Sequence, residues 1–341
     1  MIKLKFKTVE WTKNKVRILN QSKLPLKVSY LEFDDFRELA KAIKELKIRG
    51  APAIGIAAAY GVVLGMMQRK YAGNNDYEKR LDSVISVLKS TRPTAVNLPW
   101  ALERMKKVAM QIDDYDSENR TKRLLKEALL IHREDQIMCQ KIGESGSKLL
   151  KNGCRILTHC NAGALATGGI GTALAPLFIA KAQGKKIKVY VDETRPVLQG
   201  ARLTTWELLQ QGIDTTLICD DMAAFLMQKK MIDCIITGAD RIVKNLDAAN
   251  KIGTYNLAVL AKFHKIPFYL AAPGSSFDHS VKSGDKIMIE ERSPEEVTNF
   301  WGRRTAPKKV KVFSPAFDVT PANLITAIVT DKGIIKGERR D

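Results

Sequence analysis

Five short apolar runs, "CRILTHC", "IKVYVDE", "TTLICDD", "DCIITGAD" and "PFYLAAPG", recur through residues 154–274, with helical patterns between them. Runs this short, rich in β-branched residues and apolar throughout, describe strands covered on both faces. Their alternation with helices implies a parallel sheet, because a parallel neighbour needs a crossover long enough to hold a helix. Each run closes in a polar or glycine-bearing tail: "HCNAG", "DETRP", "CDD", "GADR", "APG". In a parallel sheet such tails gather at the carboxyl edge, where open α/β sheets bind ligands. The pattern predicts a site there before any residue has a role.

The rest of the chain has other periods. Residues 1–33 alternate in "KLKFKTVEW", "VRILNQ" and "KVSYLEF" and predict a small antiparallel sheet. From residue 34 the period is helical. One helix opens at the aspartates of "DDFRELAKAIKEL", a second runs from Pro52 to about Arg69, and others lie near 76–90, 95–112 and 117–151. Residues 274–311 read as irregular, with a short helix around "SPEEVTNF".

Composition narrows the function classes. A net charge of +19 would suit nucleic acid, but the basic residues are interspersed with acids. The densest basic stretch, "RRTAPKKVK", lacks the aromatic interleaving that stacks on bases, so nucleic acid is not the expected partner. A generally basic surface suits an anionic small molecule. The longest apolar stretch, "AIGIAAAYGVVLGMM", is too short to span a membrane, and the N-terminus lacks the apolar block of a signal peptide. No membrane partner and a cytoplasmic location are expected. The five cysteines (139, 154, 160, 219, 234) form no CxxC pair, so neither structural zinc nor a disulfide framework is expected.

Within the tails, Cys160 ends the first strand and precedes "NAGALATGGIG", read as leading into a helix whose N-terminus would favour thiolate. A packed core cysteine is the plain alternative. Asp240 closes "CIITGAD", where an apolar surround would raise its pKa and suit a general acid; it would equally cap a turn or pair with Arg241. Glycines 163, 168, 169 and 171 would let backbone amides approach phosphate. Asp192 keeps a nicotinamide enzyme open, as a ribose-binding acid, although the glycine spacing is not GxGxxG. Arg49 in "IRGAPAIG" and Arg92 in "STRPTAVNLPW" each precede a helix start, an anion-binding combination. Asn250 and Lys251 of "NKIGTYNLA" offer the same at a third.

Taken in order, "RGAPAIG", "STRPTAVNL", "THCNAGALAT", "DETRPVLQGARLT", "GADRI", "ANKIGTYNLAVLAK", "IEERSPEEV" and "SPAFDVTPANLITAIVT" closely resemble the methylthioribose-1-phosphate isomerases. These form a superfamily with the regulatory subunits of the initiation factor 2 exchange factor and the ribose-1,5-bisphosphate isomerases. The resemblance implies an α/β fold: a Rossmann-like parallel-sheet domain (126–341) entered through a long helix from a smaller N-terminal domain of short antiparallel strands and helices (1–125). It implies a homodimer, a sugar-phosphate substrate, no metal and no cofactor. Catalytic roles fall on Cys160 and Asp240, and substrate binding on Arg49, Gly50, Ala51, Arg92, Gln199, Asn250 and Lys251. The alternatives are an isomerase of 5-deoxyribose 1-phosphate or ribose 1,5-bisphosphate, or a non-enzymatic regulatory subunit. The chain departs from the family at Leu246, where a glycine is usual, and at Asn20, often an aspartate.

Overall fold

A computed structural model describes residues 2–67, 71–92, 97–111 and 116–337. It divides into two compact units: Lys3–Gln140 with Gly163–Gly171, and Lys141–Ala162 with the chain from Thr172 onward. The division falls inside the long helix, later than the expected 125/126 boundary, because residues up to Gln140 pack with the N-terminal elements. The nine residues 163–171 also depart from expectation by joining the first unit.

In the first unit, β1 (Val9–Thr12), β2 (Lys15–Leu19) and β3 (Tyr30–Phe33) form the expected antiparallel sheet. Helix α1 (Phe36–Lys44) starts where Asp35 accepts a hydrogen bond from the Arg37 amide, a side-chain cap that satisfies one of the helix's unpaired donors. Helix α2 (Ala51–Met67) is buried on all sides from Ala53 to Met66, as its uniformly apolar sequence requires. Helices α3 (Asn74–Lys89), α4 (Asn97–Met110) and α5 (Ser117–Ser147) follow. No helix among the described residues is long and apolar enough to cross a membrane.

The second unit is built on β4 (Arg155–Thr158), β5 (Lys188–Asp192), β6 (Asp214–Ile218) and β7 (Cys234–Thr237). Next come β8 (Arg241–Val243), β9 (Ala248–Lys251), β10 (Phe268–Ala271), β11 (Phe277–Asp278), β12 (Asn299–Phe300) and β13 (Arg303–Arg304). The chain ends with β14 (Phe317–Thr320), β15 (Ala327–Thr330) and β16 (Gly333–Lys336). Seven of these make one sheet in the order β16-β15-β10-β7-β4-β5-β6, parallel except at β16. This is the doubly wound order, with its reversal between β4 and β7. A second sheet, β11-β8-β9-β14, has no counterpart in the sequence reading, since its strands, "FD", "RIV", "AANK" and "FDVT", are very short or mix polar with apolar residues. Helices α6 (Ala175–Ala182), α7 (Thr205–Gln210), α8 (Ala223–Gln228) and α9 (Thr254–Phe263) follow β4, β5, β6 and β9, and α10 (Glu295–Thr298) is the short helix expected near "SPEEVTNF".

Candidate active site

The reversal between β4 and β7 opens a crevice at the carboxyl edge, where the crossovers diverge to opposite faces. Cys160 follows β4, and Asp240 follows β7, its hydrogen-bonded neighbour. Gly238 lets the two tails close on each other: a Cβ there would lie 2.8 Å from the Ala162 side chain and 3.9 Å from Asn250 Oδ1. The Asp240 amide donates to the Ala249 carbonyl at 2.9 Å, which ties the acid to β9. One stretch of the edge therefore holds the Cys160 loop, the Asp240 turn and Asn250.

Cys160 is held by its backbone. Its φ is +61°, a left-handed conformation that costs a non-glycine residue about 1–3 kcal/mol and persists only where the surroundings impose it. Two buried threonines impose it. Thr194 Oγ1 accepts from the Cys160 amide at 2.8 Å, and Thr204 Oγ1 donates to the Cys160 carbonyl at 2.5 Å. Thr194 is fixed in turn by Asp220, which accepts from its amide and from that of Arg195, each at 2.7 Å. Beyond Cys160, Asn161 donates to Glu207 at 2.7 Å and to Thr204 at 3.1 Å. The sequence reading missed Thr194, Thr204 and Glu207. Nothing in their spacing marks them; only the fold brings "DETRPVLQGARLT" against the cysteine.

Two expectations about the loop change. No α-helix starts after Cys160: a 3-10 turn at Ala164–Ala166 comes first, and α6 begins only at Ala175. The helix-terminus argument for the thiol therefore fails, and three of the four loop glycines, 168, 169 and 171, have their amides engaged within the protein rather than open to a phosphate. The Gly168 amide donates to Asp135 on α5 at 2.6 Å, and the Gly169 and Gly171 amides donate to Thr167 Oγ1. A Cβ on Gly168 would lie 2.5 Å from His132, and one on Gly169 would lie 2.9 Å from Cys139. These glycines admit a helix, not a ligand. Burial raises the Asp135 carboxyl to about 6 and pushes the Cys139 thiol well up.

Asp192 is buried and turned inward, with Oδ2 at 2.9 Å from His159 Nδ1, so it cannot serve as a ribose-binding acid. This removes the residue on which the nicotinamide reading rested. Burial opposes charge on the His159 ring, yet the Asp192 hydrogen bond and the charges of Asp192 and Asp220 raise its pKa. Burial lifts Asp192 to about 6. His159, Asp192 and Asp220 offer ligand atoms within 4.8 Å of one another, but both ring nitrogens are already bonded, Nε2 to the Ile252 carbonyl at 2.8 Å.

Of the residues expected to bind substrate, Gln199, Asn250 and Lys251 lie in the second unit with Cys160 and Asp240. Gln199 heads a π-helical turn, Gly200–Thr204, and its buried Oε1 has no hydrogen-bond partner among the described residues. A buried acceptor without a donor costs roughly 1–3 kcal/mol, which a ligand hydroxyl would recover. Asn250 lies in β9 rather than at a helix start, and donates to Thr254 Oγ1 at 2.9 Å. Lys251 ends the same strand and donates to the Ala316 carbonyl at 2.9 Å. Asp240 is exposed, so the chain alone does not give it the apolar surround expected of it, and Arg241 reaches Asp278 at 3.6 Å. Leu246 adopts φ +66° in the β8–β9 turn, which accounts for the glycine usual there.

Arg49, Gly50, Ala51 and Arg92 belong to the first unit. Gly50 has φ +90°, and a Cβ on it would lie 2.4 Å from Ala166 Cα, so no other residue fits. The Ala164–Ala166 turn is anchored by Thr8, which donates to the Ala164 carbonyl at 2.6 Å, and by Gln21, which donates to that of Leu165 at 2.7 Å. Arg92 lines a cavity of about 350 Å³ with Ser86, Lys89, Ser90 and Pro99.

Residues 47–337 match the profile of the initiation factor 2 subunit family. The chain belongs to this family. Over 325 residues it is 52% identical to the methylthioribose-1-phosphate isomerase of Desulforamulus reducens, covering 95% of this chain and 94% of that protein. The crystal structure of 5-methylthioribose 1-phosphate isomerase from Pyrococcus horikoshii superposes with a TM-score of 0.93 at 46% identity, over 98% of this chain and 93% of that one. A structure described as translation initiation factor eIF-2B, subunit delta, from A. fulgidus superposes at 0.90 with 44% identity, over 97% and 96%. Within the family the chain groups with the isomerases, and so with enzymes.

Proposed function

We propose that the chain converts 5-methylthioribose 1-phosphate to 5-methylthioribulose 1-phosphate, an aldose–ketose isomerisation in methionine salvage. The observation that carries the reading is the meeting of the Cys160 and Asp240 tails at the strand-order reversal, in a chain 52% identical to such an isomerase. Phosphate on the anomeric oxygen blocks the spontaneous ring opening of a free sugar, so an acid must act on the ring oxygen. Asp240 donates that proton as the C1–ring oxygen bond breaks. The negative charge of the bound phosphate, near the carboxyl, favours its protonated form in place of the missing apolar surround. Cys160 assists transfer of hydrogen from C2 to C1, and the C2 hydroxyl gives up its proton as the ketone forms, one proton returning through solvent to restore the Asp240 carboxyl. C1 is reduced as C2 is oxidised, so the balance needs no external oxidant or reductant.

Gln199, Asn250 and Lys251 take the sugar hydroxyls and phosphate, and Arg49, Gly50, Ala51 and Arg92 complete the binding set. The chain acts in the cytoplasm as a homodimer, and sedimentation velocity tests the dimer. The decisive assay measures ketose formation from methylthioribose 1-phosphate, 5-deoxyribose 1-phosphate and ribose 1,5-bisphosphate, with Cys160→Ser and Asp240→Asn as controls. Turnover of the first, abolished in both variants, is expected; turnover of none would overturn the reading. Deuterium from solvent at C1 would assign proton transfer; its complete absence would point to a hydride shift or to a base shielded from solvent. The likeness to the A. fulgidus structure favours a second reading, a regulatory subunit that binds without turnover. The same assay separates the two.

A further inference from the structure

His159, the residue before Cys160, has both ring nitrogens bonded to acceptors. Nε2 lies 2.8 Å from the Ile252 carbonyl, which accepts only, so Nε2 carries a hydrogen. Nδ1 lies 2.9 Å from Asp192 Oδ2, a contact that needs one more hydrogen between nitrogen and oxygen. The pair therefore holds two protons, either as imidazolium and carboxylate or as imidazole and carboxylic acid. His159 and Asp192 are 2% and 1% exposed, so water does not replace either bond.

The surroundings fit this state. Asp220 after β6 and Asp318 on β14 add negative charge towards the ring, and Glu193 adjoins Asp192. Asp192 Oδ1 is buried without a hydrogen-bond partner among the described residues, which disfavours a bare carboxylate. Gly253, at φ +103°, leaves room for the ring: a Cβ there would lie 2.9 Å from His159 Cε1. The three bonded groups come from the ends of β4 and β5 and from the turn after Lys251. Asp192 also reaches Cys160 by a second route, since its own carbonyl accepts from Thr194 Oγ1 at 3.1 Å.

We propose that His159 and Asp192 form a positioning dyad for the isomerase reaction, whose shared proton locks the Cys160 backbone and the turn after Lys251 into one arrangement. The inference rests on the isomerase reading above. Neither residue touches the reacting atoms. Loss of the hydrogen between them would set two lone pairs against each other and release Ile252, moving the thiol relative to Asp240. A misplacement near 1 Å costs on the order of 100-fold in rate.

The test combines ring-nitrogen NMR of the histidine-labelled wild-type chain with kinetics of three variants. Nε2 of His159 is expected to be protonated across pH 5 to 8, with Nδ1 sharing its hydrogen. Asn at 192 still donates to Nδ1, so Asp192→Asn retains kcat within about fivefold, whereas Asp192→Leu and His159→Gln lose about 100-fold in kcat with KM within about threefold. An unprotonated Nε2 would overturn the dyad even if a variant fails to fold. So would an Asp192→Leu chain with normal kcat, or equal losses in Asp192→Asn and Asp192→Leu. A wild-type chain inactive on methylthioribose 1-phosphate would instead refute the isomerase reading, while the ring nitrogens still report on the dyad.

Discussion

The stretch from Gly163 to Gly171 holds four glycines, and the stretch from Glu193 to Thr204 holds one. The first looks like a ligand loop and serves as a packing surface, the amides of Gly168, Gly169 and Gly171 spent on Thr167 and Asp135. The second has no motif beyond its resemblance to relatives, yet it holds two left-handed residues, Thr194 and Leu198, a π-helical turn and the unpartnered Gln199 Oε1. A glycine marks where something comes close; the sequence does not say whether that is a ligand or another part of the chain.

Substitutions at the two stretches test the contrast, beginning with the largest effect. A Cβ on Gly200 would lie 1.7 Å from the Asp192 carbonyl oxygen, a backbone atom that cannot yield. Gly200→Ala is expected to cost more than about 3 kcal/mol and to abolish activity, as chemical denaturation and the ketose assay would show. Gly168→Ala meets the side chains of His132 and Ile56, each at 2.5 Å, and should cost about 1–3 kcal/mol while KM stays near normal. A raised KM with unchanged stability would return that loop to ligand binding.

Asp135 sharpens the same point through pH. Its pKa is about 6 in the folded chain, against 3.8 for the ordinary carboxyl, because it is buried. The folded state thus holds a proton that the unfolded state has lost between those values. This contribution to stability is full below about pH 4, falls as pH rises, and is gone above about pH 6. Asp135→Asn should flatten that slope in melting temperatures measured from pH 4 to 8. Gln199→Leu is expected to raise KM about tenfold without loss of stability, since it removes a buried acceptor that has no partner among the described residues. Smallest of all, Cys154→Ala should leave activity within about twofold: that thiol is buried on β4's approach, 3.7 Å from Cys234.

Much of the architecture could be read beforehand, because strand and helix periods are properties of neighbouring residues. The five apolar runs became β4, β5, β6, β7 and β10, and their tails share one edge as parallel topology demands. The short strands β8, β9, β11 and β14 could not be read, since two have three residues or fewer and the others, "AANK" and "FDVT", mix polar with apolar residues instead of forming an apolar run. At the site, Cys160 and Asp240 stood out by position and by resemblance. The support beneath them did not. Thr194, Thr204 and Asp192 act through contacts between residues more than thirty apart, and only the folded chain brings them together.

The left-handed backbone at Cys160 bears on how the chain endures. Glycine adopts that conformation without strain, so Cys160→Gly should unfold about 1 kcal/mol later than the parent while losing its thiol. Drift towards a sturdier, inactive chain is downhill at this position. The cysteine stays because of its chemistry, and thermostability screens run without an activity readout would be expected to discard it first.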